Sequence, residues 1–277
     1  MGRRSDVRLW VLGSGSGGNA VLIEAAGSRI LVDAGFGVRT LAARLSAIGV
    51  APESIEACVL THEHTDHVKG AAAAARRWGW ALHATRGTVA HAPELAGSGV
   101  RAFDAGASLA FSTMDVATAR TPHDAAEPVG VVVTARVSGA RATVCTDIGY
   151  VSDGVRALCR DVDLLVLESN HDEGMLRAGP YPPVVQARIA GDRGHLANRH
   201  AAALVRDSVT RQVRHVVLAH LSQNCNAPAL ARETTERELK RTVYRGDVTT
   251  APQAAVVGPF DAAGSVAGAP PQYTLSL

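Results

Sequence analysis

The stretch Thr61-His62-Glu63-His64-Thr65-Asp66-His67 constrains this chain more than any other. Four of its seven side chains can bind a metal ion, and they follow directly on the apolar run Ala57-Cys58-Val59-Leu60. Such a run before a polar segment reads as a buried strand. Residues two apart in an extended segment point to the same side, so His62 and His64 can share one ion. The alanines at 71–75 predict a helix just beyond, alanine being the best helix former, and the chain therefore turns between the two pairs. That turn aims Asp66 and His67 at a second point, and paired catalytic metals lie roughly 3.5–4 Å apart. The spacing predicts a two-metal site; a polar loop with scattered histidines is the competing reading, and so dense a set of ligand types after a buried strand argues against it.

Upstream, residues 7–12 read as a strand running into Gly13-Ser14-Gly15-Ser16-Gly17-Gly18-Asn19, a formal G-x-G-x-x-G with Asp33 twenty positions after Gly13. A dinucleotide fingerprint needs a helix after the glycines. Here Ala20-Val21-Leu22-Ile23-Glu24 is β-branched and extended, and it turns at Gly27-Ser28 into a second strand ending at Asp33, so that reading is rejected. Residues 38–49 carry apolar side chains at helical spacing, which predicts a surface helix with Arg39 and Arg44 on its solvated face. Strands are expected over 80–85, over 101–121 with a break at Gly106, and as a hairpin over 131–136 and 142–146. Two more are expected over 163–168 and 213–221, the latter as the last core strand. Helices are expected around 88–92, over 199–208 with Asn198 as N-cap, and over 227–242. His83, His91 and His215 are expected to be structural, and residues 177–193 to form a long connection bordering the site.

Residues 62–67 resemble the H-x-H-x-D-H signature of the metallo-β-lactamase superfamily, and other landmarks extend the resemblance over most of the chain. It implies an α/β (α+β) fold, a four-layer αββα sandwich with the metals at one edge between the sheets. Asp33-Ala34-Gly35 is similar to the family's opening, which implies that Asp33 braces the ligand loop without binding metal. His123 stands where the family places the third ligand of the first metal, beside His62 and His64. Thr146-Asp147-Ile148-Gly149 is similar to the T-D-x-G motif, whose carboxylate bridges both metals. His220 matches the final ligand and completes the second shell with Asp66, His67 and Asp147. Strands like 163–168 end in a glutamate that is hydrogen-bonded and not ligated, which implies that role for Glu168. His171, with Asp172, is left between lining the site, donating a proton and a plain loop role. Gly194-His195 resembles the histidine motif of the superfamily's nucleases, which implies that His195 is a general acid.

Composition narrows the class further. The length of 277 residues and its apolar content suit one large domain, taken as residues 1–257, with a Gly/Ala/Pro-rich tail over 258–277. Lys plus Arg number 28 against 26 Asp plus Glu, so net charge does not advertise a polyanion partner. The four cysteines show no C-x-x-C spacing, and reduced thiols are expected. No apolar run approaches a membrane span or a signal-peptide core, and a cytoplasmic protein fits best.

These residues predict a hydrolase. A pair of divalent ions, zinc first and manganese or iron next, would carry a hydroxide at neutral pH as the nucleophile. Asp66 beside His67 hardens the second site and suits phosphate ligands, so Asp66 and His195 are the expected catalytic pair beyond the shared ligands. The runs at 12–19, 123–130, 168–172 and 194–196 look like the YycJ-type branch, which is linked to 5′-to-3′ exonuclease action on double-stranded DNA. Ala197 departs from that branch, where a serine is expected. DNA is thus the expected substrate; the alternative is a small ester, thioester, lactone or cyclic phosphodiester, and a non-enzymatic binding module comes third.

Overall fold

In the computed structural model, residues 7–263 and 272–274 are described. The first expected strand forms as β1 (Val7–Gly13), and its alternation shows what the fold does with such runs: Leu9 and Val11 face one core, Trp10 and Leu12 another. A strand apolar on both faces has to be covered on both. Beside it lie β2 (Ala20–Ala25), β3 (Ser28–Val32), β4 (Ala57–Leu60), β5 (Ala81–Thr85) and β6 (Arg101–Phe103). β1, β2 and β3 pair antiparallel; β3 to β6 run parallel. The helices α1 (Val38–Ala47), α2 (Thr65–Val68), α3 (Ala71–Trp78) and α4 (Arg86–His91) connect these strands. α1 and α3 cover the outer face with Leu41, Leu45, Ala71, Ala74 and Trp78.

A second sheet follows: β7 (Ser108–Ala110), β8 (Met114–Arg120), β9 (Val129–Ala135), β10 (Arg141–Cys145), β11 (Leu164–Glu168), β12 (His215–Ala219) and β13 (Asp247–Thr250), adjacent in that order. It is antiparallel up to β10 and parallel beyond. Between its strands lie α5 (Asp153–Leu158), α6 (Glu173–Ala178), α7 (Pro183–Ile189), α8 (Asn198–Ser208) and α9 (Pro228–Leu239). α5, α8 and α9 cover its outer face, while Val131, Val133, Val144, Val166 and Val217 meet the first sheet across the central core. The four layers are therefore helix, sheet, sheet, helix, as the resemblance implied. Among the described residues no helix is long and apolar enough to cross a membrane.

Four expectations are corrected. The strand at 213–221 is not the last of the core: β13 follows it, and the chain returns to the first sheet as β14 (Ala255–Asp261), paired with β1, and β15 (Gln272–Thr274). The expected tail from 258 thus begins inside β14, where Phe260 is fully buried, a placement worth about 1.5–3 kcal/mol; residues 264–271 lie outside those described. Arg44 does not face solvent. Its guanidinium lies over Phe36 and donates to Leu12 O and Gln253 O, bridging α1 to the strand ends. Burial pushes its pKa down to about 10, which leaves it charged at neutrality. Asn198 does not cap α8; it is the first helical residue, and its side chain joins Ser169 and Asn226 in a buried network. All four cysteines are buried free thiols.

Candidate metal centre

The site gathers at one sheet edge because parallel strands deliver their carboxyl ends to the same side, where open α/β sheets bind ligands. Asp33 follows β3, residues 61–67 follow β4, Asp147 and His220 follow β10 and β12, and Glu168 is the last residue of β11. β8 runs the same way as β10 through their common partner β9, so His123 arrives at that edge too. Asp33, Asp147 and His220 hold left-handed backbone angles, with φ of 62°, 59° and 53°. Such angles cost energy in non-glycine residues and concentrate at functional sites.

The structure brings all seven expected ligands together. His62, His64 and His123 form one set; Asp66, His67 and His220 form another; Asp147 lies within reach of His62 and His67. In each set the ligand atoms lie within 4.8 Å of one another. Four imidazoles are held by one nitrogen, leaving the other for the cluster. His67 Nδ1 lies 2.7 Å from Asp33 Oδ2, His123 Nδ1 donates to Gly194 O at 3.0 Å, His62 Nδ1 lies 3.0 Å from the Thr61 hydroxyl, and His220 Nδ1 lies 3.1 Å from Glu168 Oε1. Metal-bound histidines are fixed in this way, through a partner on the distal nitrogen.

The donor set fits a pair of cations. Asp147 Oδ2 and His220 Nε2 are buried without a hydrogen-bond partner, an omission that costs about 1–3 kcal/mol per group unless something else satisfies it. Burial opposes a charge on His220, yet Asp147, Asp66 and Glu168 outweigh it and push its pKa up to about 10. The carboxylates thus call for positive charge inside the cluster.

Asp33 braces the loop: its carboxylate accepts from Thr61 N–H at 2.8 Å and from the Thr61 hydroxyl, besides holding His67. Glu168 is engaged on both oxygens. Oε2 accepts from Ile148 N–H and Leu196 N–H, and Oε1 meets His195 Nδ1 at 2.8 Å as well as His220. Burial lowers the His195 pKa, but Glu168 and Asp147 overcome it, and the imidazole titrates above its ordinary value. His171 lines a separate cavity that His195 also borders. Asp172 caps α6 by accepting from Met175 N–H.

Sequence reasoning passed over part of the glycine loop. Ser14 accepts from His220 N–H at 2.8 Å and donates to Asn19 Oδ1, while Asn19 Nδ2 lies 3.1 Å from His67 Nε2 and 3.3 Å from Asp66 Oδ2. The rejected dinucleotide motif is thus a support for the second ligand set, and its buried serine and asparagine were the available signal. Gly35 is required nearby, since a Cβ there would sit 1.7 Å from Asp66 O. The metal edge opens into a cavity of about 310 Å³ whose wall includes Ser16, Asp124, Arg188, Arg193 and His195. The two arginines stand on α7 and in the turn after it.

Comparison with known proteins agrees with this geometry. Residues 28–221 match the family model described as the β-lactamase superfamily domain. The chain is 33% identical to the exodeoxyribonuclease YycJ of Bacillus anthracis over 234 residues, 83% of this chain and 88% of that protein. It is 31% identical to the exodeoxyribonuclease WalJ of Streptococcus pneumoniae, over 83% of this chain and 87% of the relative. Among solved structures, the metallo-β-lactamase fold protein YhfI of Bacillus subtilis superposes with a TM-score of 0.67 at 17% identity, covering 91% of this chain and 99% of that one. The human short-form tRNase Z superposes at 0.60 and 18% identity, covering 91% and 99%. Fold, family match and relatives agree that the chain belongs to the β-lactamase superfamily of metal-dependent hydrolases, with the metallo-β-lactamase fold.

Proposed function

We propose that this protein is a two-metal phosphodiesterase that hydrolyses DNA as a 5′-to-3′ exonuclease, with His195 as general acid. One observation carries the reading: His195 Nδ1 is held 2.8 Å from Glu168 Oε1 while its ring borders the metal pocket, which leaves Nε2 to face a substrate. The raised pKa keeps a proton available for a departing oxygen, a role worth roughly 10²–10⁴-fold in rate. His62, His64 and His123 would hold one cation and Asp66, His67 and His220 the other, with Asp147 shared. Zinc suits this mixture of imidazole and carboxylate best, with manganese or iron next. Two such ions, when bound, supply Lewis acidity to the phosphoryl oxygens and lower the pKa of water.

Arg193 adds cationic charge to the wall of the same pocket, where Arg188 is paired with Asp124, and that charge favours a phosphate backbone over a neutral lactone or ester. The similarity to two exodeoxyribonucleases supports DNA as the substrate. The test is parallel assay of the zinc-loaded and manganese-loaded protein on 5′-labelled duplex DNA, bis-p-nitrophenyl phosphate and a panel of lactones and thioesters. Stepwise release from the 5′ end is expected. Turnover confined to the lactones and thioesters would overturn the proposal and leave the small-ester reading in its place.

A further inference from the structure

A second cavity, of about 380 Å³, is lined by none of the seven expected ligands but shares His195 with the cavity at the metal edge. Its volume falls within the ~300–1,000 Å³ of ordinary small-molecule sites. Tyr150, Val151 and Leu204 give it apolar and aromatic walls, and Tyr150 is 49% exposed, free to offer a ring face. His171 lines it too, 1% exposed and with Nδ1 lacking any hydrogen-bond partner. Its charged groups are of both signs: Arg199 pairs with Glu173 at 3.0 Å, Arg156 lies 3.9 Å from Asp207, which Arg206 holds at 2.9 Å, and Asp192 also stands in the wall. Among the described residues its arginines thus stand beside carboxylates, a wall that suits a flat, uncharged group with a few hydrogen-bonding atoms better than a second phosphate.

We infer that this cavity takes the sugar and base of the 5′-terminal nucleotide that departs through its O3′, with the base against Tyr150. The inference rests on the proposed diesterase reading for its place in the reaction. In an in-line displacement the attacking water and the leaving oxygen lie on opposite sides of phosphorus. The water oxygen bonds to phosphorus, the bond from phosphorus to the nucleoside oxygen breaks, and that oxygen takes the His195 proton; a proton from the water restores the imidazolium through solvent. The leaving oxygen is therefore next to His195, and the sugar and base attached to it have the second cavity, which His195 also lines, within reach.

The metal-loaded protein is titrated with deoxyadenosine and thymidine, with deoxyribose as the control lacking a base, and the nucleosides are tested as inhibitors of duplex hydrolysis. Saturable binding is expected for the nucleosides and not for deoxyribose, with competitive inhibition. Tyr150→Ala is expected to weaken nucleoside binding by roughly 5–100-fold, the range for loss of one base–aromatic stack, while Tyr150→Phe retains it. Ala203→Phe, which fills the cavity from α8, is expected to abolish binding; thermal melts establish that each variant is folded. The inference is overturned if the nucleosides show no saturable binding, or if Tyr150→Ala and Ala203→Phe bind them as the native protein does. Saturable nucleoside binding by the native protein that these variants lose, with no cleavage of DNA by the native protein, would instead sink the diesterase reading and keep the site.

Discussion

Asp33 Oδ2 lies 2.7 Å from His67 Nδ1 with both side chains almost fully buried, so one carboxylate sets the direction in which the second ligand set points. The same carboxylate takes the Thr61 N–H, tying the end of β3 to the loop after β4. Asp33→Asn is expected to keep the fold and weaken metal affinity by about 10–100-fold, the usual cost of losing a partner of a ligating histidine. Competition with a metal chelator measures it; unchanged affinity would show that Asp33 is only a loop brace.

Asp147→Ala is expected to lose bound metal and activity together. Its oxygens lie 3.2 Å from His67 Nε2, 3.7 Å from His123 Nε2 and 3.7 Å from His220 Nδ1, so among the described residues it is the carboxylate that lies near both sets. Metal content by elemental analysis, read beside the rate, decides the matter. A full complement of metal in the variant would contradict the shared position.

His195→Ala removes no proposed ligand, and it is expected to keep its metal while the rate on duplex DNA falls by roughly 10²–10⁴-fold. Glu168→Gln leaves the hydrogen bonds to Ile148 and Leu196 possible but removes the negative charge that raises the His195 pKa. The sign follows: a group whose pKa falls loses its proton at lower pH, so the basic limb of the pH–rate profile is expected to shift to lower pH in Glu168→Gln. Full activity in His195→Ala would remove its assigned role.

Arg188→Ala and Arg193→Ala are expected to raise KM for duplex DNA with little change in kcat, and each to reduce the slope of log affinity against log salt by about 1. Arg188 is held to Asp124, which follows the proposed ligand His123, so its loss also frees α7 at that point. Binding titrations over a series of salt concentrations provide the measurement. Unaltered slopes in both variants would place the DNA elsewhere.

Arg44→Met tests the fold itself. Removing the guanidinium leaves Leu12 O and Gln253 O without their donor in a buried setting, which is expected to cost about 1–3 kcal/mol and lower Tm. Metal binding by the folded protein is expected to survive, since Arg44 touches no ligand. A Tm equal to the native value would mean that water replaces the guanidinium there.

The sequence by itself made many of the elements legible and marked the candidate ligand types, because both are local. Alternating apolar runs such as 7–12 make strands, and His62, His64, Asp66 and His67 declare a metal-binding loop through spacing alone. His123, Asp147 and His220 were legible only through motifs, since nothing near them in the chain shows that β8, β10 and β12 end at one edge. Tertiary structure decided the rest. Arg44 reads as a surface residue from helical periodicity and is buried, because its partners Leu12 and Gln253 lie 32 and 209 positions away. Residues 258–261 read as a tail from composition and form a strand, because β1 had an open edge to pair with. Glu168 joins His195 to His220, and Ser14 and Asn19 support the ligands, only through contacts across the closed sandwich. Periodicity reports which face of an element is apolar, but not which distant groups that face will meet.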